Sequence, residues 1–182
     1  MPSATDESFF DGGWQDDDER IDLYALFVLD DVPVAAIEEV IRRNLEDSND
    51  SNLWLADDYN NLPDLPDFEL NLGTLGATEA PLDPNWQSPF GGKTLQDAAR
   101  YLRSVPKPRK PLCKTYFVVL DGTFYQKHDQ VFVCKVLESG EVQSVPCEAA
   151  RVSVYLGGHD RSYWDQDLDN WEDEGLAVMS ND

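Results

Sequence analysis

Two apolar runs of the chain end in carboxylates: "LFVLDD" closes on Asp30 and Asp31, and "FVVLDG" closes on Asp121. Acids at the carboxyl ends of strands are where α/β proteins hold Mg²⁺ and run phosphoryl chemistry. A Mg²⁺-dependent enzyme built on Asp30, Asp31 and Asp121 requires two adjacent, parallel strands with all three acids around one cation. The competing reading gives these residues backbone work: Asp31 caps a following helix, and Asp121-Gly122 turns the chain. The local sequence favours the second reading, with no cofactor and no catalytic residue.

Other chemistry-bearing types fail on spacing. In "SPFGGKTLQDAARYL" the run Gly92-Lys93-Thr94 matches the end of a phosphate loop, but the first glycine of that motif falls on Gln87. No strand leads into it, so Thr94 is read as an N-cap and Asp97 as its partner in a capping box. Cys113, Cys134 and Cys147 form an odd set without CxxC pairing, and His128 and His159 stand at no ligand spacing from them. Reduced thiols of an intracellular protein are expected, with no zinc site. Cys134, inside "VFVCKV", reads as a small core residue with no base beside it. "DQDLDNWEDEG" fails as a calcium loop, because Asn170 replaces the required glycine and Leu176 the bidentate glutamate.

Charge bounds the partners. The 182 residues carry 36 acidic against 14 basic side chains, a net charge of −22. Such a chain lacks the lysines and arginines that phosphate contacts need, so direct binding to nucleic acid or an anionic membrane is not expected. Residues 91–155 hold ten basic and six acidic residues, while the remainder holds four and 30. Both ends interleave aromatics with carboxylates, as "SFFDGGWQDDDE" and "SYWDQDLDNWEDEG". That composition suits segments that dock aromatic anchors into a partner with a basic rim. The expected contacts are Phe9, Phe10, Trp14, Asp16, Asp17, Asp18, Trp164 and Trp171. For the C-terminal pair, packing on the chain's own core is the favoured alternative. The opening "MPSATDESFF" shows no secretory signal, and no stretch has transmembrane length. A cytoplasmic location is the default expectation, with a nuclear one open.

The elements that would position these residues follow from periodicity. Leu23–Leu29 is continuously apolar, the pattern of a strand covered on both faces. A helix is expected over 33–45, with Ile37, Val40, Ile41 and Leu45 as its buried stripe and Glu38–Arg42 and Glu39–Arg43 as outer pairs. A second helix spans 95–104 and buries Leu95, Ala98, Ala99 and Leu102. Strands are expected at 115–120, 131–137, 142–146 and 151–156, with a turn at 138–141. Residues 46–93 read as a long, irregular, acidic insert, either a disordered loop or a segment that covers the core, with one short strand near Trp54. Trp164, Leu168 and Trp171 share one face of a short C-terminal helix.

Three resemblances bear on these residues. "LFVLDD" with "DDVPVAAIEEVIRRNLE" resembles the opening strand and helix of a response-regulator receiver domain. The intervening βα units of that family are missing, and Lys135 lies inside a strand rather than at its end. "VVLDGTF" resembles the first motif of haloacid-dehalogenase-like phosphatases, but Val119 stands where the nucleophilic aspartate would be. The stretch from "TYFVVLD" through "VFVCKVLESGEVQSVPCEAARVSVYL" to Trp164 resembles an uncharacterised family of small bacterial and fungal α+β proteins with no assigned activity, and "YALFVLDDVP" resembles the openings of its fungal members. This implies a single compact α+β domain with a C-terminal acidic, Trp-containing motif, and carries over no catalytic residue.

The expected organisation is therefore a disordered acidic tail over 1–20, one α+β domain over 21–160, and an acidic segment over 161–182. The domain should hold a mixed or antiparallel sheet of four to six strands and two main helices, followed by a short C-terminal helix. The expected function is non-catalytic: an interaction or regulatory protein that offers acidic-aromatic surface to a basic protein partner. A nucleic-acid mimic that blocks a basic groove is the first alternative, and the Mg²⁺ enzyme the second.

Overall fold

The structure, a computed structural model, describes residues 23–46, 52–62, 76–105, 112–157, 163–175 and 177. The first apolar run forms β1 (Tyr24–Val28), buried throughout. Its burial is two-sided: Tyr24, Leu26 and Val28 enter one core layer, and Leu23, Ala25 and Phe27 the other. That is why the run is continuous rather than alternating.

The chain continues through α1 (Val34–Arg43), β2 (Leu53–Leu55), α2 (Leu95–Ser104) and β3 (Tyr116–Leu120). It then forms α3 (Gly122–His128), β4 (Gln130–Val136), β5 (Val142–Glu148), α4 (Val152–Gly157) and α5 (Trp164–Glu174). The five strands make one mixed sheet in the order β2-β1-β3-β4-β5. β1 pairs in parallel with both β2 and β3, while β3–β4 and β4–β5 are antiparallel. The fold is a single-domain α+β architecture.

Each sheet face buries its own helices. On one face, Ile37, Val40 and Ile41 of α1, Tyr155 and Leu156 of α4, and Trp164 of α5 cover the sheet. On the other, Ala98, Ala99 and Leu102 of α2 pack with Phe90 and Leu62. Phe27 centres an aromatic cluster there, edge-on to Phe90 at 4.8 Å and to Phe117 at 5.5 Å. The insert contributes β2, and its Trp54 is buried while Tyr59 and Trp86 pack against the two layers.

The expected capping box is present. Asp97 N–H donates to Thr94 Oγ1 at 3.2 Å, and Thr94 N–H donates back to Asp97 Oδ2 at 3.0 Å. These Thr94 bonds hold the Asp97 carboxyl below its ordinary range.

Several expectations change. Residues 151–156 form a 3₁₀ turn and α4 rather than a strand. Asp121-Gly122 begins α3 instead of making a turn, and His128 is the last residue of that helix. Asp31 does not cap α1, whose N-cap is Pro33, and Asp31 is exposed. Leu45 lies outside α1 and is exposed. Neither expected outer pair of α1 forms. Arg42 pairs with Glu39 at 2.8 Å, Arg43 pairs with Asp129, and Glu38 accepts the Leu82 N–H at 2.7 Å. No helix among the described residues is long and apolar enough to cross a membrane.

Candidate functional site

The chain leaves β1 toward β2 and leaves β3 toward β4, in opposite directions along the sheet. Adjacent parallel strands whose continuations diverge open a crevice at their carboxyl ends, the usual ligand position in such sheets. The register Val28↔Leu120 brings the two acidic strand ends together there. Asp30, Asp31, Val32 and Pro33 from the β1 side, with Gly122, Thr123, Tyr125 and Gln126 from α3, line a crevice of about 120 Å³. That is small beside the roughly 300–1,000 Å³ of sites that bury a drug-sized ligand.

The requirement that the strands be adjacent and parallel is thus met, but Asp30 and Asp121 are each committed to a backbone N–H, and Asp31 is exposed. Asp30 accepts the Gly122 N–H with both oxygens, at 3.1 and 3.2 Å, tying the end of β1 to the start of α3. Asp121 accepts the Phe124 N–H at 2.8 Å as the N-cap of α3. Among the described residues, no three His, Cys, Asp or Glu side chains are grouped to hold a metal ion. Gly122 is required by close approach: a Cβ there would meet Val32 Cγ2 at 2.9 Å and Asp30 Oδ2 at 3.4 Å. Replacing Asp30 with alanine should cost about 1.5–3 kcal/mol, the range for a hydrogen bond to a charged group. Asp30→Asn keeps an acceptor and should cost less. Urea denaturation of the two variants checks this ordering, and equal losses would refute the backbone-tie role.

Two of the three thiols are closed to nucleophilic chemistry. Burial pushes Cys134 far up and Cys147 to about 12, so neither is a thiolate at neutral pH.

The second assembly is α5. Trp164 is only 2% exposed, and its Nε1–H donates to Gln143 Oε1 at 2.8 Å. Its ring lies 5.7 Å from that of Tyr116 and 6.5 Å from that of Tyr155. The Tyr155 hydroxyl donates to Asp167 Oδ2 at 2.9 Å, and burial pushes this phenol well above its ordinary range. Leu168 and Trp171 complete the buried side. Trp164 is therefore a core residue, out of reach of a partner, whereas Trp171 is half-buried at the surface.

The opposite side of α5 is carboxylate. Asp165, Asp169, Glu172 and Asp173 are exposed along one stripe, and Glu174 is exposed beside it. Among the described residues, none of these five has an ion-pair partner. The end of the helix carries Glu172, Asp173 and Glu174 and no basic residue, against the negative end of the helix dipole. Phe9, Phe10, Trp14, Asp16, Asp17 and Asp18 lie outside the described residues.

Sequence reasoning missed the aromatic seam next to Trp171. Phe124 of α3 stands 6.4 Å from Trp171 at 90°, 4.4 Å from Phe132 and 4.5 Å from His128. The aromatic residues were visible in the sequence, but their meeting depends on α3 being a helix. Comparison of the chain with protein-family models, with curated proteins and with solved structures gives no match.

Proposed function

We propose that the protein is a non-catalytic interaction module that presents a preformed acidic surface, centred on α5, to a basic protein partner. The observation that carries this reading is the conflict within α5. Like charges at Asp165–Asp169 and Asp169–Asp173 oppose the helix, as does the acidic last turn. Packing of Trp164, Leu168 and Trp171 holds the helix in spite of this. A cationic partner would relieve the conflict, and a pre-ordered face loses little entropy on binding. The N-terminal aromatics and acids supply a second segment of the same composition.

The same stripe favours mimicry of a nucleic-acid strand as a second reading. Five exposed carboxylates over the 11 residues of α5 amount to one charge per roughly 3.3 Å at about 1.5 Å rise, against about 3.4 Å per charge on a DNA strand. Competition for the partner by duplex DNA separates the readings, since only a mimic shares the DNA-binding groove.

The primary reading is tested with an octalysine peptide, acetylated and amidated at its ends, and the variant Asp169→Asn/Glu172→Gln/Asp173→Asn. The variant should raise Tm by about 2–5 °C, because it removes charges that oppose the helix, and it should weaken peptide binding severalfold. Raising salt should slow association far more than it speeds dissociation. Peptide affinity unchanged by the triple substitution would refute α5 as the docking surface.

A further inference from the structure

We propose that the partner engages this surface through arginine rather than lysine, with a guanidinium stacked on the seam of Trp171 and Phe124; the inference rests on the acidic-surface reading above. The two ends of α5 differ in one respect. Trp164 already has a cation, since Lys135 Nζ lies 5.9 Å from its ring centre and 5.9 Å from that of Tyr116. Trp171 has aromatic neighbours, but among the described residues no lysine or arginine stands over its ring or over Phe124. Yet this is the end where Glu172, Asp173 and Glu174 concentrate.

Trp171 and the acidic last turn thus share one end of α5, with Glu174 one turn on from the indole and, among the described residues, no lysine or arginine over the ring. Phe124, Phe132 and Trp171 are half-buried and His128 is exposed, so the seam is open to solvent along its length. The nearby Arg43 is engaged by Asp129. A guanidinium matches both features: its flat, weakly hydrated face stacks on an aromatic ring while its edge forks to a carboxylate. An ammonium serves the carboxylates as a point charge and gains less from the rings. The occupant that fits is an arginine-bearing segment of a protein partner.

The test compares octaarginine with octalysine, both with blocked ends, against the full chain by calorimetry at one pH and salt. The arginine peptide should bind about threefold to fivefold tighter, the gain of an exposed cation–π contact. Trp171→Leu and Phe124→Leu should each bring it down to the affinity of the lysine peptide and leave the latter unchanged. The indole N–H resonance of Trp171, assigned by its loss in Trp171→Phe, should shift with the arginine peptide and not with the lysine peptide. That signal keeps the test decisive should a leucine variant fail to fold. Equal affinities, a preference surviving both substitutions, or an unmoved Trp171 resonance would overturn the arginine inference and leave the acidic surface standing. Binding of neither peptide would overturn both.

Discussion

Trp164→Ala is expected to destabilise the protein by about 3–5 kcal/mol, the range for emptying a core tryptophan site. The ring is enclosed by Tyr116, Tyr155 and Lys135, and its Nε1–H bond to Gln143 goes with it. Loss should concentrate in α5. With 11 residues and six carboxylates, that segment is below the length at which helices persist alone, about 12–15 residues, and its own charges oppose it. Amide exchange along α5 should accelerate more than that of β1, β3 and β4, the inner strands of the sheet. Trp164→Phe keeps most of the buried surface and gives up the indole bond, so about 1–2 kcal/mol is expected. The functional consequence is separable from charge. Trp164→Ala leaves all six carboxylates in place, yet should weaken octalysine binding if a rigid face matters. Unchanged affinity would mean that composition alone attracts the peptide, and the preformed surface would be refuted.

Much of the scaffold was legible because its signals are local. The capping box at Thr94 and Asp97 needs only four residues to specify a helix start, and it forms as read. The continuous run at β1 announces two covered faces, and the sheet supplies both. α3 was not legible, since aspartate followed by glycine serves a turn and a helix N-terminus equally well. What decides between them is long-range: Asp30 takes the Gly122 N–H, and Phe124 packs against Phe132 and Trp171. The same holds for the crevice and the aromatic seam, both of which depend on strand order. Trp164 and Trp171 share a face by periodicity, but which of them ends inside the core is set by where the face lands, over Gln143 at one end and at the open edge of α3 at the other.

The misread strand at 151–156 leads to the second large effect. "RVSVYL" alternates β-branched residues, a strand pattern, yet Val152, Tyr155 and Leu156 also stand at i, i+3 and i+4. The structure takes the helical spacing and buries Ser153 with them. Ser153 is the polar member of that buried face. Its hydroxyl lies 2.8 Å from the side-chain oxygens of both Asn44 and Asn52, and Asn44 Nδ2 donates to Asn52 Oδ1 at 3.3 Å. These three buried polar side chains bind the end of α1, the approach to β2 and the start of α4 across separations of 101 and 109 residues. Asn52→Ala should therefore cost about 1–3 kcal/mol, because it orphans the buried Asn44 Nδ2 donor while the Ser153 hydroxyl keeps Asn44 Oδ1 as its acceptor. Ser153→Ala, which removes one hydroxyl, should cost about 1–2 kcal/mol. The double variant should cost at least about 1 kcal/mol less than the sum, as members of one network do. Additivity within about 0.5 kcal/mol would show three independent contacts instead. A coupled result would assign the network the role of fixing α4 as a helix, and α4 delivers the chain toward α5. The orientation of the acidic face would then trace back to three uncharged side chains at the far end of the core layer that α5 covers.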